Sequence, residues 1–157
     1  MRIAIFLLLL ATALGYAAWR GGGPERSMAA ILATMLLIDQ MMHLFLPVSF
    51  AMVDMGHLAI DLAAAAATIL IALTAHRFWP MIAAVFQMLP LVAHFSRAVD
   101  LNMHPAAYLT MQVGASWLLP PLLLFATWRH RKRLLRNGSD QSWRISWRRL
   151  SPTTPKT

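Results

Sequence analysis

The residues able to do chemistry in this 157-residue chain are chiefly its six histidines and six acids, and they cluster along the sequence. Asp39 and His43 stand four apart. Asp54, His57 and Asp61 follow at i, i+3 and i+7, so a helix would carry all three on one stripe. Gln87 and His94 are seven apart, and Arg97, Asp100, Asn102 and His104 come soon after. Neutral imidazole with carboxylate suits Zn²⁺, Mn²⁺ or Fe²⁺. The candidate ligands are His43, His57, Asp61, His94 and His104, with Asp39, Asp54 and Asp100 as further ligands or as groups that orient them. Met42, Met52, Met55 and Met103 lie nearby, and thioether with imidazole suits Cu(I). Bis-histidine ligation of haem b between two helices is a further option, although no spacing specifies it.

The same residues admit two other accounts. An acidic, histidine-rich pocket suits passage of protons or cations. Alternatively, the network is structural: Asp and His satisfy each other, Arg97 pairs with Asp100 or Asp61, and polar side chains hold helices together. The structural account is the leading expectation, with metal or haem binding second and conduction third.

No known reaction is written in the chain. H-E-x-x-H and G-x-S-x-G are absent, and Gly21-Gly22-Gly23 lacks the Lys-Ser/Thr of a phosphate-binding loop. Asp54-x-x-His57-x-x-x-Asp61 is too short a pattern to assign metal-assisted hydrolysis. The absence of cysteine removes disulfides, thiolate metal sites and cysteine nucleophiles.

The elements that must position these residues follow from composition. Hydrophobic residues make up 59% of the chain and charged residues 13%, against about 45–50% and about 25% in ordinary soluble domains. The apolar residues fall into blocks of bilayer-spanning length. Five spans are expected, at about 3–19, 28–46, 57–75, 81–95 and 106–128, giving an all-α polytopic transmembrane bundle. Residues 20–26 read as a flexible connector with a helix start after Pro24. Pro90 should kink the fourth span and Pro120-Pro121 should break the fifth. Ala63 to Ala67 is a run of small residues that lets helix backbones approach closely.

The net charge of +8 is confined to residues 129–157, where nine Lys/Arg face Asp140 alone. Such a tail marks a cytoplasmic membrane flank and points away from a nucleic-acid partner. With the N-terminus outside, five spans place 12 Lys/Arg inside and 2 outside. Treating 81–95 as re-entrant gives 10 and 4, a poorer fit. Cleaving the first span as a signal peptide would put the basic tail outside, against the same rule. The five-span orientation gathers His43, His57, His94 and His104 toward the outer face.

Arg129, Arg131, Lys132 and Arg133 should continue the fifth helix into the headgroups, with Asn137-Gly138 as its stop. Asp140 is expected to cap a short amphipathic tail helix. Trp143, Trp147 and Leu150 would share one face of it, with Arg144, Arg148 and Arg149 on another. Anionic lipid is the favoured partner, because each basic residue gains about 1 kcal/mol near such a leaflet. A protein partner or a second copy of the chain is the alternative.

Asp54-Met-Gly-His-Leu-Ala-Ile-Asp61, Ala93-His-Phe-Ser-Arg97, and the stretch from Thr127-Trp-Arg-His-Arg131 to Asn137-Gly-Ser-Asp-Gln-Ser-Trp143 resemble short uncharacterised inner-membrane proteins of Gram-negative bacteria. The resemblance covers most of the chain. It implies a bacterial inner membrane and adds no activity. The chain is thus expected to be a small inner-membrane accessory or scaffold protein, with metal or haem binding as the alternative.

Overall fold

A computed structural model describes residues 2–45, 55–99 and 104–143. It contains α1 (Arg2–Arg20), α2 (Gly23–Phe45), α3 (Met55–Thr74), α4 (Trp79–Val99) and α5 (Pro105–Asn137). Each helix packs on its neighbours in sequence, and α5 returns to α1, closing a ring. Among the described residues the only strand-like pairing is an isolated antiparallel bridge between Ala75 and Trp143.

The surface is apolar and the interior partly polar. Ile3, Leu8, Leu37, Leu44, Leu62, Leu70, Leu73, Val85 and Phe95 are exposed, whereas Glu25, Asp61, Arg77, Gln87, His94 and Arg97 are buried. A soluble monomer rarely exposes contiguous apolar patches beyond a few hundred Å², so this arrangement fits a hydrocarbon surround. Among the described residues four helices, α1 to α4, are long and apolar enough to cross a membrane.

α5, expected as the fifth span, is not among those four. Its 33 residues run on into the basic segment, and Gln112, Ser116, Pro120 and Pro121 dilute the apolar part. The helix nonetheless continues through both prolines. The prolines remove two backbone donors, and α5 packs against α1 and α4. Pro90 likewise lies inside α4 without ending it, and α4 extends over 21 residues, longer than the sequence suggests.

Small residues bring the helices together. Leu10, Ala13 and Ala17 of α1 meet Met28, Ala29 and Leu32 of α2 and Leu119, Leu123 and Ala126 of α5 in one core. On α3, Asp61, Ala64, Ala65, Thr68 and Ile71 form the buried stripe. Of the alanine run, Ala64 and Ala65 are buried, whereas Ala63 and Ala66 are exposed. Thr68 turns its hydroxyl onto the Ala64 carbonyl at 2.8 Å, which satisfies a buried polar group within its own helix.

Two boundaries differ instructively. The expected connector shrinks to Gly21 and Gly22, because α2 begins at Gly23 with Pro24 in its first turn. At the other end α5 stops at Asn137, where Gly138 adopts φ 69° and donates its N–H to the Leu134 carbonyl at 2.9 Å. Beyond it, Asp140 does not cap a helix, and residues 139–142 are irregular.

Candidate functional site

The up-and-down ring sorts the polar side chains to its two ends. One end is built from the C-terminal turns of α2 and α4 and the N-terminal turns of α3 and α5. There α2 presents Asp39 and His43 on consecutive turns, and α3 brings His57 against them. His57 Nε2 lies 3.0 Å from Asp39 Oδ1. His43 Nδ1 donates to the Asp39 main-chain carbonyl at 2.8 Å and lies 3.8 Å from its Oδ1. The two imidazoles stand edge to face with centroids 5.4 Å apart. Asp39 and His57 are half-buried and His43 is exposed.

Deeper between α3 and α4, His94 Nε2 is 3.1 Å from Asp61 Oδ2. Both are buried, His94 to 2% exposure. Two turns earlier on α4, Gln87 approaches the Met35 sulfur at 3.4 Å. Arg97, one turn beyond His94, is also buried. His104 does not join this group. It sits exposed at the start of α5, where its Nδ1 accepts the Ala106 N–H at 3.2 Å. The five candidate ligands therefore divide: His43 and His57 meet at Asp39, His94 and Asp61 meet each other, and His104 caps a helix. Asp54 and Asp100 lie outside the described residues, as do Met52 and Met103.

The opposite end holds a second cluster that the sequence analysis missed. Glu25 of α2, wholly buried, receives Arg77 Nη1 and also the indole N–H of Trp79 at 3.1 Å on the same oxygen. Arg77 Nη2 reaches onward to Asp140 Oδ2 at 2.9 Å, and Arg133 Nε donates to Asp140 Oδ1 at 3.2 Å. His130 Nδ1 lies 2.5 Å from Asp140 Oδ2 and 2.9 Å from Arg77 Nη2. One ring nitrogen cannot both donate and accept. The shorter contact, with a carboxylate, requires a proton on Nδ1, so His130 donates to Asp140 and only abuts Arg77.

This cluster holds the chain end. His76 N–H donates to the Ser142 carbonyl at 3.1 Å beside the Ala75–Trp143 bridge. Trp143 packs against the core instead of standing free among headgroups. The glycines make room for it. A Cβ on Gly22 would come within 3.0 Å of Arg77 and His130, and one on Gly23 within 2.6 Å of the Trp143 indole. Burial pushes the Asp140 carboxyl up, but the His130 hydrogen bond and the Arg77 and Arg133 guanidiniums together outweigh it and hold the group below its ordinary range.

One signal for this cluster was present. Glu25 is a single acid in the first short connector, and the five-span expectation puts Arg77 in the next connector on the same side. Of the other tail residues named for lipid, Arg129 lies over Phe125 at 5.8 Å and Lys132 over Trp128 at 5.2 Å. Arg131 is exposed on α5. Arg144, Trp147, Arg148 and Arg149 lie outside the described residues.

Comparison of the chain with protein-family models, with curated proteins and with solved structures finds no match.

Proposed function

We propose that the protein is a non-enzymatic accessory or scaffold component of a bacterial inner membrane. Its helices cross five times, with the N-terminus outside and the basic tail in the cytoplasm. The observation that carries this reading is the use made of the polar residues near the outer end. Asp39–His57 ties α2 to α3, and Asp61–His94 ties α3 to α4. In a bilayer, where apolar surface provides little drive for helix association, such bonds fix which helices are neighbours.

Crossing by α5 is supported by its packing on α1 and α4 and by the aromatic residues at its basic end. Trp19, Phe78 and Trp128 are all exposed at that level, with Arg20 over Trp19 at 4.0 Å and Lys132 over Trp128. Amphipathic rings with neighbouring cations suit the headgroup layer. The tail cations then meet anionic lipid on the cytoplasmic side.

Topology and function are tested together. The chain has no native cysteine, so His104→Cys and Ser139→Cys report independently. An impermeant thiol reagent applied to spheroplasts labels the first and spares the second. The reverse pattern removes the orientation and the lipid assignment. In liposomes the scaffold passes no protons or cations above the empty-vesicle rate. A flux abolished by Asp61→Asn would replace it with a conducting pathway.

A further inference from the structure

The outer-end pairs are not equivalent, and the difference points to a ligand. Asp61 and His94 are buried and face each other. Asp39, His43 and His57 form a group of three in which each offers one ligand atom, all within 4.8 Å of one another. Among the described residues no other set of His and acidic groups converges in this way. We propose that Asp39, His43 and His57 bind a divalent transition-metal ion of the Zn²⁺ class, with the fourth position open to water.

The geometry suits such an ion with little movement. Tetrahedral Zn²⁺ takes nitrogen and oxygen at about 2.0–2.2 Å, which sets ligand atoms roughly 3.4 Å apart. The His57–Asp39 pair is already closer than that, at 3.0 Å, and a ring nitrogen of His43 lies within 4.8 Å of both. The bond from His43 Nδ1 to the Asp39 carbonyl fixes that ring beside the carboxylate and leaves the lone pair on Nε2. A main-chain carbonyl is a usual orienting partner for a metal-bound imidazole. For His57, binding through Nε2 requires the proton now shared with Asp39 to leave that atom, either to Nδ1 or to water, so affinity falls in acid.

The donor set also selects the ion. Two imidazoles and a carboxylate favour Zn²⁺ over Cu(I), which prefers sulfur. Met55 is exposed at the start of α3 and supplies no thioether to the interior. Haem fits poorly, because two rings edge to face at 5.4 Å leave no slot for a porphyrin between them. The partial exposure of all three residues gives an ion a path that the buried Asp61–His94 pair lacks.

The site goes beyond the scaffold role, and each can fail alone. Untagged full-length protein in detergent, stripped with chelator, is titrated with Zn²⁺ by calorimetry and with Co²⁺ by visible absorption. One equivalent binds, and Co²⁺ develops the intense bands of a tetrahedral site. His57→Ala and Asp39→Asn weaken binding beyond the roughly 10–100-fold lost on removing an outer partner. Because these two changes also break an interhelical bond, His43→Gln serves as the variant with an unchanged fold. It retains the apo melting temperature of the parent but loses the upward shift that Zn²⁺ produces. Absence of saturable binding by the parent, or parental affinity in His43→Gln and Asp39→Asn, overturns the proposal. The melting temperatures of the apo proteins report the scaffold separately.

Discussion

The two ends of the bundle use polar chemistry in different ways. At the tail end the cations are guanidiniums, permanently charged, and Arg77 is shared between two carboxylates from distant parts of the chain. At the other end the partners of the acids are imidazoles, which carry lone pairs. Guanidiniums have no lone pair to offer a metal, and the one imidazole at this end, His130, directs its Nδ1 at Asp140. A histidine cluster of similar size holds helices and retains the means to bind an ion. The difference lies in the choice of base, since both ends draw carboxylates and cations from several helices.

The comparison breaks most readily at Glu25. Glu25→Ala leaves Arg77 with Asp140 as its one carboxylate partner, and removal of one member of a buried pair costs about 3–5 kcal/mol. Thermal unfolding in detergent should register the loss. Replacing both partners, as in Glu25→Leu with Arg77→Met, should cost less than the sum of the single changes, while Asp140 keeps His130 and Arg133. If the two losses simply add, the pair is not coupled and the tail end is not one network.

Gly23→Leu comes next. Its side chain would displace the Trp143 indole, with an expected cost of about 1–3 kcal/mol from overpacking. Limited trypsin digestion measures it: cleavage beyond Arg136 should accelerate relative to the parent. An unchanged digestion rate would mean that the indole does not hold the chain end.

Acid titration separates the ends further. Asp140 has its folded-state pKa lowered, so the unfolded chain takes up the proton first as pH falls. The stability it contributes is full above its unfolded value and is lost as pH falls through the depressed folded value. Docking of residues 139–143 should therefore persist at pH 5 and fail only below the usual carboxylate range. Zn²⁺ binding at the opposite end needs imidazole lone pairs and should be lost earlier in the same descent of pH. Protease accessibility and calorimetry across one pH series test the order of the two events. Release of the chain end before loss of metal would contradict it.

Much of this architecture was legible in the chain because span length and apolar surround are properties of blocks. The blocks around residues 3–19 and 57–75 correspond to α1 and α3 within a few residues. Which histidines meet was not legible. One residue of shift turns a helix side chain by about 100° and about 1.5 Å along the axis, so depth and rotation decide contact. Asp61 thus meets His94 of another helix, while its own stripe-mate His57 meets Asp39. The Glu25 cluster was hidden for a different reason. The orientation rule accounted for Arg77 as a loop charge, and nothing in the spacing demanded a partner 52 residues away. Gly21 to Gly23 looked like flexibility, although Gly22 and Gly23 are places where other side chains press in.

The smallest effect expected is at His104, and it bears most directly on where the histidine cluster ends. Spacing made His104 a candidate ligand, whereas the structure has its Nδ1 accepting from Ala106 N–H at the start of α5. Loss of an N-terminal cap costs typically about 1 kcal/mol, and a capped end that remains exposed is rehydrated easily. His104→Ala should therefore lower the melting temperature slightly and leave Zn²⁺ affinity and Co²⁺ spectrum as in the parent. Equal loss of metal affinity in His104→Ala and His57→Ala would enlarge the site to include α5. The contrast would then become one between a closed end and a single histidine site spread over three helices.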